Sequence, residues 1–147
     1  DITGFSILAH TAIREGEVAI NHIVCGSDDR MRYDSVPAVV YMHPEIAGVG
    51  ATEEKLRAEG RYYRVLKLPM AYAGRYVVEN EQAPGLCKVL VDENDTILGC
   101  HILGNPASEL ILLAGIAVTD RSSIEDFRRH IFPHPTAGEI LHEVLFS

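Results

Sequence analysis

Residues 85–104 read GLCKVLVDENDTILGCHILG, and the fold turns on how that stretch is read. Two short runs rich in Val, Ile and Leu flank the polar group DEND at 92–95. Apolar strands around a turn-forming cluster predict a β-hairpin. Upstream, VPAVVYMH (36–43), IAGVG (46–50) and YYRVLKLP (62–69) carry the same β-branched signature, the second bent by its glycines and the third closed by Pro69. Between them Thr52 opens TEEKLRAEG, a polar helix with Glu53 after its cap and Gly60 at its end. MAYAGRYVVENEQAP (70–84) is predicted to be irregular. Downstream, ASELILLAGIAVT (107–119) is apolar almost all round, which predicts a helix covered on more than one side, in part by a partner subunit. SIEDF follows as a short amphipathic turn capped by Ser122 or Ser123. Ala137, Ile140, Leu141, Val144 and Leu145 then fall at i, i+3, i+4, i+7 and i+8 of a one-faced helix. Strands grouped apart from helices predict an α+β domain with an antiparallel β-sheet and flanking helices.

Residues 6–25 place Ala9, Ala12, Ile13, Gly16, Ile20, Ile23 and Val24 at helical spacing, with Ser6 as the expected N-cap and Gly26 as the C-cap. The small residues on that stripe predict close packing against another element. The polar stretch GSDDRMRYDS reads as a linker. The chain opens without Met and enters this apolar-periodic segment almost at once, which suggests a piece of something longer.

With 147 residues, 47% of them hydrophobic, the chain can bury one real core. Thirteen Lys and Arg against 21 Asp and Glu give a net charge of −8. An acidic surface argues against nucleic-acid binding, which requires a basic footprint. No apolar run reaches the roughly 18 residues of a membrane span, and no signal segment is evident. The three cysteines, Cys25, Cys87 and Cys100, form no CxxC pair, so a reducing compartment is expected.

Chemistry concentrates in HIFPHPTAGEILHE, residues 130–143. His130 and His134 have zinc-like H-x3-H spacing, but Pro133 and Pro135 break the single helical face that would aim both rings at one ion, and no metal is expected. Thr136 and Glu139 form T-x-x-E before an apolar helical pattern, a capping box, and spacing alone favours that reading. The alternative uses the same carboxylate to orient His134, leaving its second nitrogen for proton transfer. Elsewhere, GVGATEE imitates a dinucleotide loop, but the third glycine of G-x-G-x-x-G falls at Glu53, so a tight turn is the better reading. The histidines at 10, 22, 43, 101 and 142 read as structural or exposed, and only His43, rigidly placed before Pro44, merits attention.

Four ordered segments together resemble one family. HPTAGE (134–139) is similar to the H-P-T-x-x-E signature of the pyridine nucleotide-disulfide oxidoreductases. YMHPEIAGVGATEEKL (41–56), ILGCHILGNPASELI (97–111) and DITGFSILAHTAIREG (1–16) resemble three further segments of the same enzymes in the same order. The residues after HPT differ from the S-S-E-E usual in glutathione reductases, and the tail lacks the vicinal cysteines of mercuric reductases. The sequence is most similar to the dihydrolipoamide dehydrogenase branch. It lacks that family's flavin-binding glycine loop, C-x4-C redox disulfide and nicotinamide-binding domain, so the resemblance implies a part of such an enzyme, inactive alone.

What the resemblance implies is specific. Residues 1–30 would be the last helix of the FAD domain with its linker, and residues 31–147 the C-terminal interface domain of a homodimer. His134 would be the acid–base catalyst and Glu139 the carboxylate that orients it, both serving the partner subunit's centre. Asp1, Ile7, Leu8, Ala9 and His10 would lie along the FAD. Intact, such an enzyme oxidises dihydrolipoamide, carried on the lipoyl domain of 2-oxo acid dehydrogenase complexes, and reduces NAD; these residues alone would bind neither cofactor. The compartment would be the cytoplasm or the mitochondrial matrix. Many members carry a second histidine two residues before the catalytic one, where this chain has Phe132. The competing readings are a noncatalytic homodimerisation module, in which T-x-x-E is only a cap, and a related glutathione- or mercuric-reductase-like enzyme.

Overall fold

The computed structural model describes residues 1–81 and 83–147, in two compact units, Asp1–Val36 and Pro37–Ser147. No helix among the described residues is long and apolar enough to cross a membrane.

In the first unit, α1 spans Ala9–Cys25 and ends at Gly26 in the left-handed conformation (φ 63°), which a residue without Cβ adopts at little cost. Its N-cap is Leu8, not Ser6, and no side chain caps it. Ser6 lies two residues too early and its hydroxyl instead meets that of Thr11 at 2.9 Å. The expected linker contains a 3-10 turn, Tyr33–Ser35. Glu15 gathers this unit, accepting from the Thr3 hydroxyl at 2.6 Å and the Tyr33 hydroxyl at 2.8 Å, while Phe5 rests against the Tyr33 ring. The apolar stripe of α1 is not buried: Ile13, Ile20, Ile23 and Val24 are all exposed. Periodicity marks a face that seeks cover, but does not supply the cover.

The second unit is a five-stranded antiparallel sheet in the order β1-β2-β5-β4-β3, with β1 Ala38–Val40, β2 Ile46–Gly50, β3 Arg64–Pro69, β4 Leu86–Val91 and β5 Ile97–Leu103. The hairpin of residues 85–104 thus forms the centre, and the α+β antiparallel expectation holds. Its turn closes because the Asp92 carboxylate accepts from the N–H groups of Asn94 (2.9 Å) and Thr96 (2.8 Å), while Asp95 takes the left-handed conformation (φ 60°) that short polar side chains tolerate.

One row of the sheet, Leu66, Val89, Cys100 and Val49, faces the core in register across β3, β4, β5 and β2. Against it lies α4 (Ala107–Asp120), burying Ala107, Leu110, Ile111, Ala114, Ala117 and Val118. Its other face is open, with Leu112 61%, Leu113 39% and Ile116 51% exposed. Within this chain the sheet meets α4 along one stripe, which leaves open the face for which a partner subunit's cover was expected. The last segment buries all five predicted residues, Ala137, Ile140, Leu141, Val144 and Leu145. It does so as a 3-10 turn (Ala137–Glu139), α6 (Ile140–Glu143) and a second 3-10 turn (Val144–Phe146) rather than one regular helix.

The helix α2 (Glu53–Ala58) starts at Thr52, whose hydroxyl accepts from Lys55 N–H at 3.2 Å, and Gly60 follows its end with φ 65°. The segment expected to be irregular contains a 3-10 turn (Met70–Tyr72) and α3 (Gly74–Glu79), with Met70, Ala73 and Tyr76 buried; its residue 82 lies outside the described residues. Tertiary burial of those three residues selects helix where local propensity was weak. The glycines of GVGATEE are filled by the sheet itself. A Cβ on Gly50 (φ 81°) would lie 2.3 Å from the Leu98 carbonyl, and one on Gly48 would lie 2.8 Å from the His101 ring. The close approach that glycine allows therefore serves strand pairing, since both glycines lie in β2 rather than in the tight turn expected.

Candidate functional site: the His134–Glu139 turn

The short helix α5 (Ile124–Arg128) begins at Ser123, whose hydroxyl accepts from Asp126 N–H at 3.1 Å. After it the chain turns through residues 129–136 and enters the final helical segment at Thr136. Two prolines bracket His134, and the His134–Pro135 peptide is cis. The Thr136 hydroxyl donates to the Pro133 carbonyl at 2.8 Å, closing the loop on itself. The histidine therefore projects from a turn constrained on both sides.

Glu139 divides its carboxylate. Oε2 accepts from the backbone N–H of Thr136 at 2.8 Å, completing a capping box, and Oε1 lies 2.7 Å from His134 Nδ1. The cap and the histidine partner, which spacing presented as alternatives, coexist because a carboxylate has two oxygens. The Thr136 N–H and, next, the His134 contact hold the Glu139 carboxyl below the ordinary carboxylate range, so it is ionised at neutral pH. An anion on Nδ1 requires a proton on that nitrogen, which leaves Nε2 as the outward nitrogen of the neutral ring. The His134 side chain is 80% exposed and that of Glu139 22%, so the pair presents an accessible ring backed by a sheltered carboxylate.

Beside the turn lies an apolar groove of about 350 Å³ lined by Leu113, Ile116, Phe127, His130, Ile131 and Phe132, among others. Ile131 is 98% exposed. Sequence reading did not single out this groove, although the apolar pair Ile131–Phe132 between a histidine and a proline was its visible trace. His130 is turned away from metal chemistry, with Nδ1 3.1 Å from the Phe127 carbonyl and its ring against Phe127. The described residues contain no cluster of three or more groups able to hold a metal ion. His43 is exposed on the turn between β1 and β2.

The other expected site residues belong to the first unit. Asp1 carries the terminal amine, 3.9 Å from Glu15. Ile7 is 77% exposed, Leu8 is the N-cap of α1, and Ala9 and His10 form its first turn. They are contiguous at one helix start.

Residues 36–145 match the dimerisation domain of the pyridine nucleotide-disulphide oxidoreductases. The chain is 45% identical to dihydrolipoyl dehydrogenase 1, mitochondrial, of Arabidopsis thaliana and 39% identical to dihydrolipoyl dehydrogenase 3 of Pseudomonas putida, with all of this chain aligned to 29% and 31% of those proteins. Leghemoglobin reductase of Vigna unguiculata is 43% identical over the whole chain, which covers 28% of it. Among solved structures, LpdA of Mycobacterium tuberculosis superposes with a TM-score of 0.90 at 26% identity, over 97% of this chain and 31% of that one. The flavoprotein disulfide reductase RclA of Escherichia coli gives 0.85 at 26% identity, over 99% and 34%. This chain spans less than a third of the length of the curated relatives it matches. With its hairpin-centred sheet, its helix α4 and its H-P-T-x-x-E turn, the chain belongs to the pyridine nucleotide-disulphide oxidoreductase family and contains that family's dimerisation domain.

Proposed function

We propose that this chain supplies the proton-transfer pair and the subunit interface of a homodimeric, dihydrolipoamide-oxidising flavoenzyme, with residues 1–30 belonging to its FAD domain and residues 31–147 forming the interface domain. The observation that carries the reading is the 2.7 Å contact between Glu139 Oε1 and His134 Nδ1 on an otherwise exposed ring. Dihydrolipoamide loses two protons and two electrons on oxidation. His134 Nε2 takes the first proton from a substrate thiol, and the Glu139 carboxylate stabilises the resulting imidazolium. The thiolate left behind is the competent nucleophile toward a disulfide sulfur, which a neutral thiol is not. Glu139 also fixes the ring's tautomer and direction, so the acceptor nitrogen faces outward before substrate arrives.

Asp1, Ile7, Leu8, Ala9 and His10 are the residues proposed to lie along FAD; α1 begins there without a side-chain cap, which suits a polar or anionic group at the helix start. When bound, FAD carries the electron pair from dithiol to NAD. The lipoyl domain of a 2-oxo acid dehydrogenase complex would deliver the substrate. The open face of α4 and the adjoining groove support association of two copies. All three cysteines are free, consistent with a cytoplasmic or mitochondrial-matrix setting.

The test is His134→Gln in the flavoenzyme that carries this chain. A fall of about 10² to 10⁴-fold in dihydrolipoamide oxidation, with the dimer preserved, is expected from loss of a general base. Unchanged turnover would instead favour a noncatalytic dimerisation module, the reading supported by the Thr136–Glu139 cap. Preference for glutathione disulfide or mercuric ion would reassign the substrate within the family.

A further inference from the structure

The turn carrying His134 is gripped from both ends by aromatic rings. Phe132 lies two residues before His134, and His142 three residues after Glu139, one helical turn along α6. Their ring centroids are 5.5 Å apart at an interplanar angle of 49°. Phe132 also packs edge-on against Phe127 of α5, with centroids at 5.8 Å and an angle of 62°. The His142 ring also meets that of Phe146, tilted by 60° with centroids 5.1 Å apart. The Arg128 guanidinium lies over the Phe146 ring, 3.9 Å from its centroid, and Arg128 Nη2 donates to the Leu145 carbonyl. Ring contacts thus run from Phe127 of α5 through Phe132 and His142 to Phe146, which Arg128 of α5 covers.

We propose that His142 and Phe132 are positioning residues for the His134–Glu139 pair, acting as packed rings that hold the approach to His134 against α6, the helix that follows Glu139. The proposal rests on the reading of His134 as the proton acceptor, because only then does its orientation matter to turnover. Its geometric content stands apart from that reading. Glu139 is held by the Thr136 N–H, whereas among the described residues no side-chain hydrogen bond joins His134 to anything but Glu139. The direction of the imidazole therefore depends on how the preceding loop is held, by the Thr136 hydroxyl at the Pro133 carbonyl and by the ring contacts of Phe132. His142 acts here through its ring contact with Phe132; its Nδ1 lies 3.5 Å from Glu143, and its charge is also the least of the influences that lower the Glu139 carboxyl.

The experiment is imidazole proton–nitrogen correlation NMR on the full chain at mildly alkaline pH, where the neutral tautomers of His134 are read directly. The unaltered chain should hold the Nδ1–H form demanded by Glu139. His142→Ala should shift the tautomer ratio toward Nε2–H by about fivefold, the scale of one lost aromatic contact, and His142→Phe should restore it. An unchanged ratio in a folded His142→Ala chain, or failure of His142→Phe to restore it, overturns the proposal. If His142→Ala does not fold, Phe132→Leu, which leaves α6 intact, gives the same reading with the same two outcomes. The tautomer ratio is independent of turnover, so an inactive role for His134 and a failure of positioning would be told apart.

Discussion

Two helix starts in this chain share the pattern Ser/Thr-x-x-Asp/Glu, and they use it differently. At α5 the Asp126 carboxylate returns to the Ser123 hydroxyl at 2.7 Å, within the cap. At the final segment the Glu139 carboxylate gives one oxygen to the Thr136 N–H and the other to His134. The extra methylene of Glu and the bracketed turn before Thr136 together place an imidazole where α5 has none. A capping motif is therefore compatible with function when its acid has an oxygen left over.

The largest difference should appear in activity. In the intact enzyme, Glu139→Gln should cost about 10 to 100-fold in turnover, the usual scale for an orienting carboxylate, while Asp126→Asn should leave turnover unchanged. A Gln offers one acceptor oxygen and so cannot serve Thr136 and His134 together. Equal losses from both variants would break the contrast.

Next come the buried residues that follow each cap. Ile140 is fully buried and Ile124 is 5% exposed, so truncating either to Ala should lower stability by about 2–5 kcal/mol in denaturant unfolding. Only Ile140→Ala should also lower activity, because only that helix aims a carboxylate at His134. The caps themselves are smaller. Thr136→Ala and Ser123→Ala should each cost about 1 kcal/mol, measurable as matched shifts in unfolding midpoint.

Acidification should give the smallest effect and sharpen the same comparison. Glu139 is held low by the Thr136 N–H and then His134, and Asp126 by the Ser123 hydroxyl and backbone. A carboxyl with a lowered folded value contributes stability that is complete above the ordinary carboxylate range and is lost as pH falls through the folded value. Unfolding temperature should therefore decline below that range, less steeply in Glu139→Gln and in Asp126→Asn. A profile that both variants leave untouched would show that neither carboxylate contributes to acid stability.

Much of the fold was legible because local rules and tertiary packing agreed. The hairpin at 85–104, the cap at Thr52 and the i, i+3, i+4 burial of the last segment each depend on neighbours in sequence. Residues 70–79 were not legible, since Met70, Ala73 and Tyr76 become helical through burial under distant elements. Ser6 was misplaced as a cap because the helix begins two residues later, at an apolar N-cap, while the Ser6 hydroxyl pairs with Thr11. At the site, His134 and Glu139 were visible from spacing and resemblance, whereas His142 looked ordinary, its meaning residing in a ring contact with Phe132.

By itself the sequence determined the elements whose signals are short-range: strand runs, turn chemistry, helix caps and the presence of a histidine, two prolines and a glutamate in one short turn. Tertiary structure alone decided that Glu139 serves both its cap and His134, that the glycines of GVGATEE are filled by neighbouring strands, and that α4 keeps one apolar face open. The physical reason is reach: propensity and hydrogen bonding to near neighbours act within a few residues, while the sharing of a carboxylate, the filling of a void and the cover of a face depend on atoms brought together only by the fold.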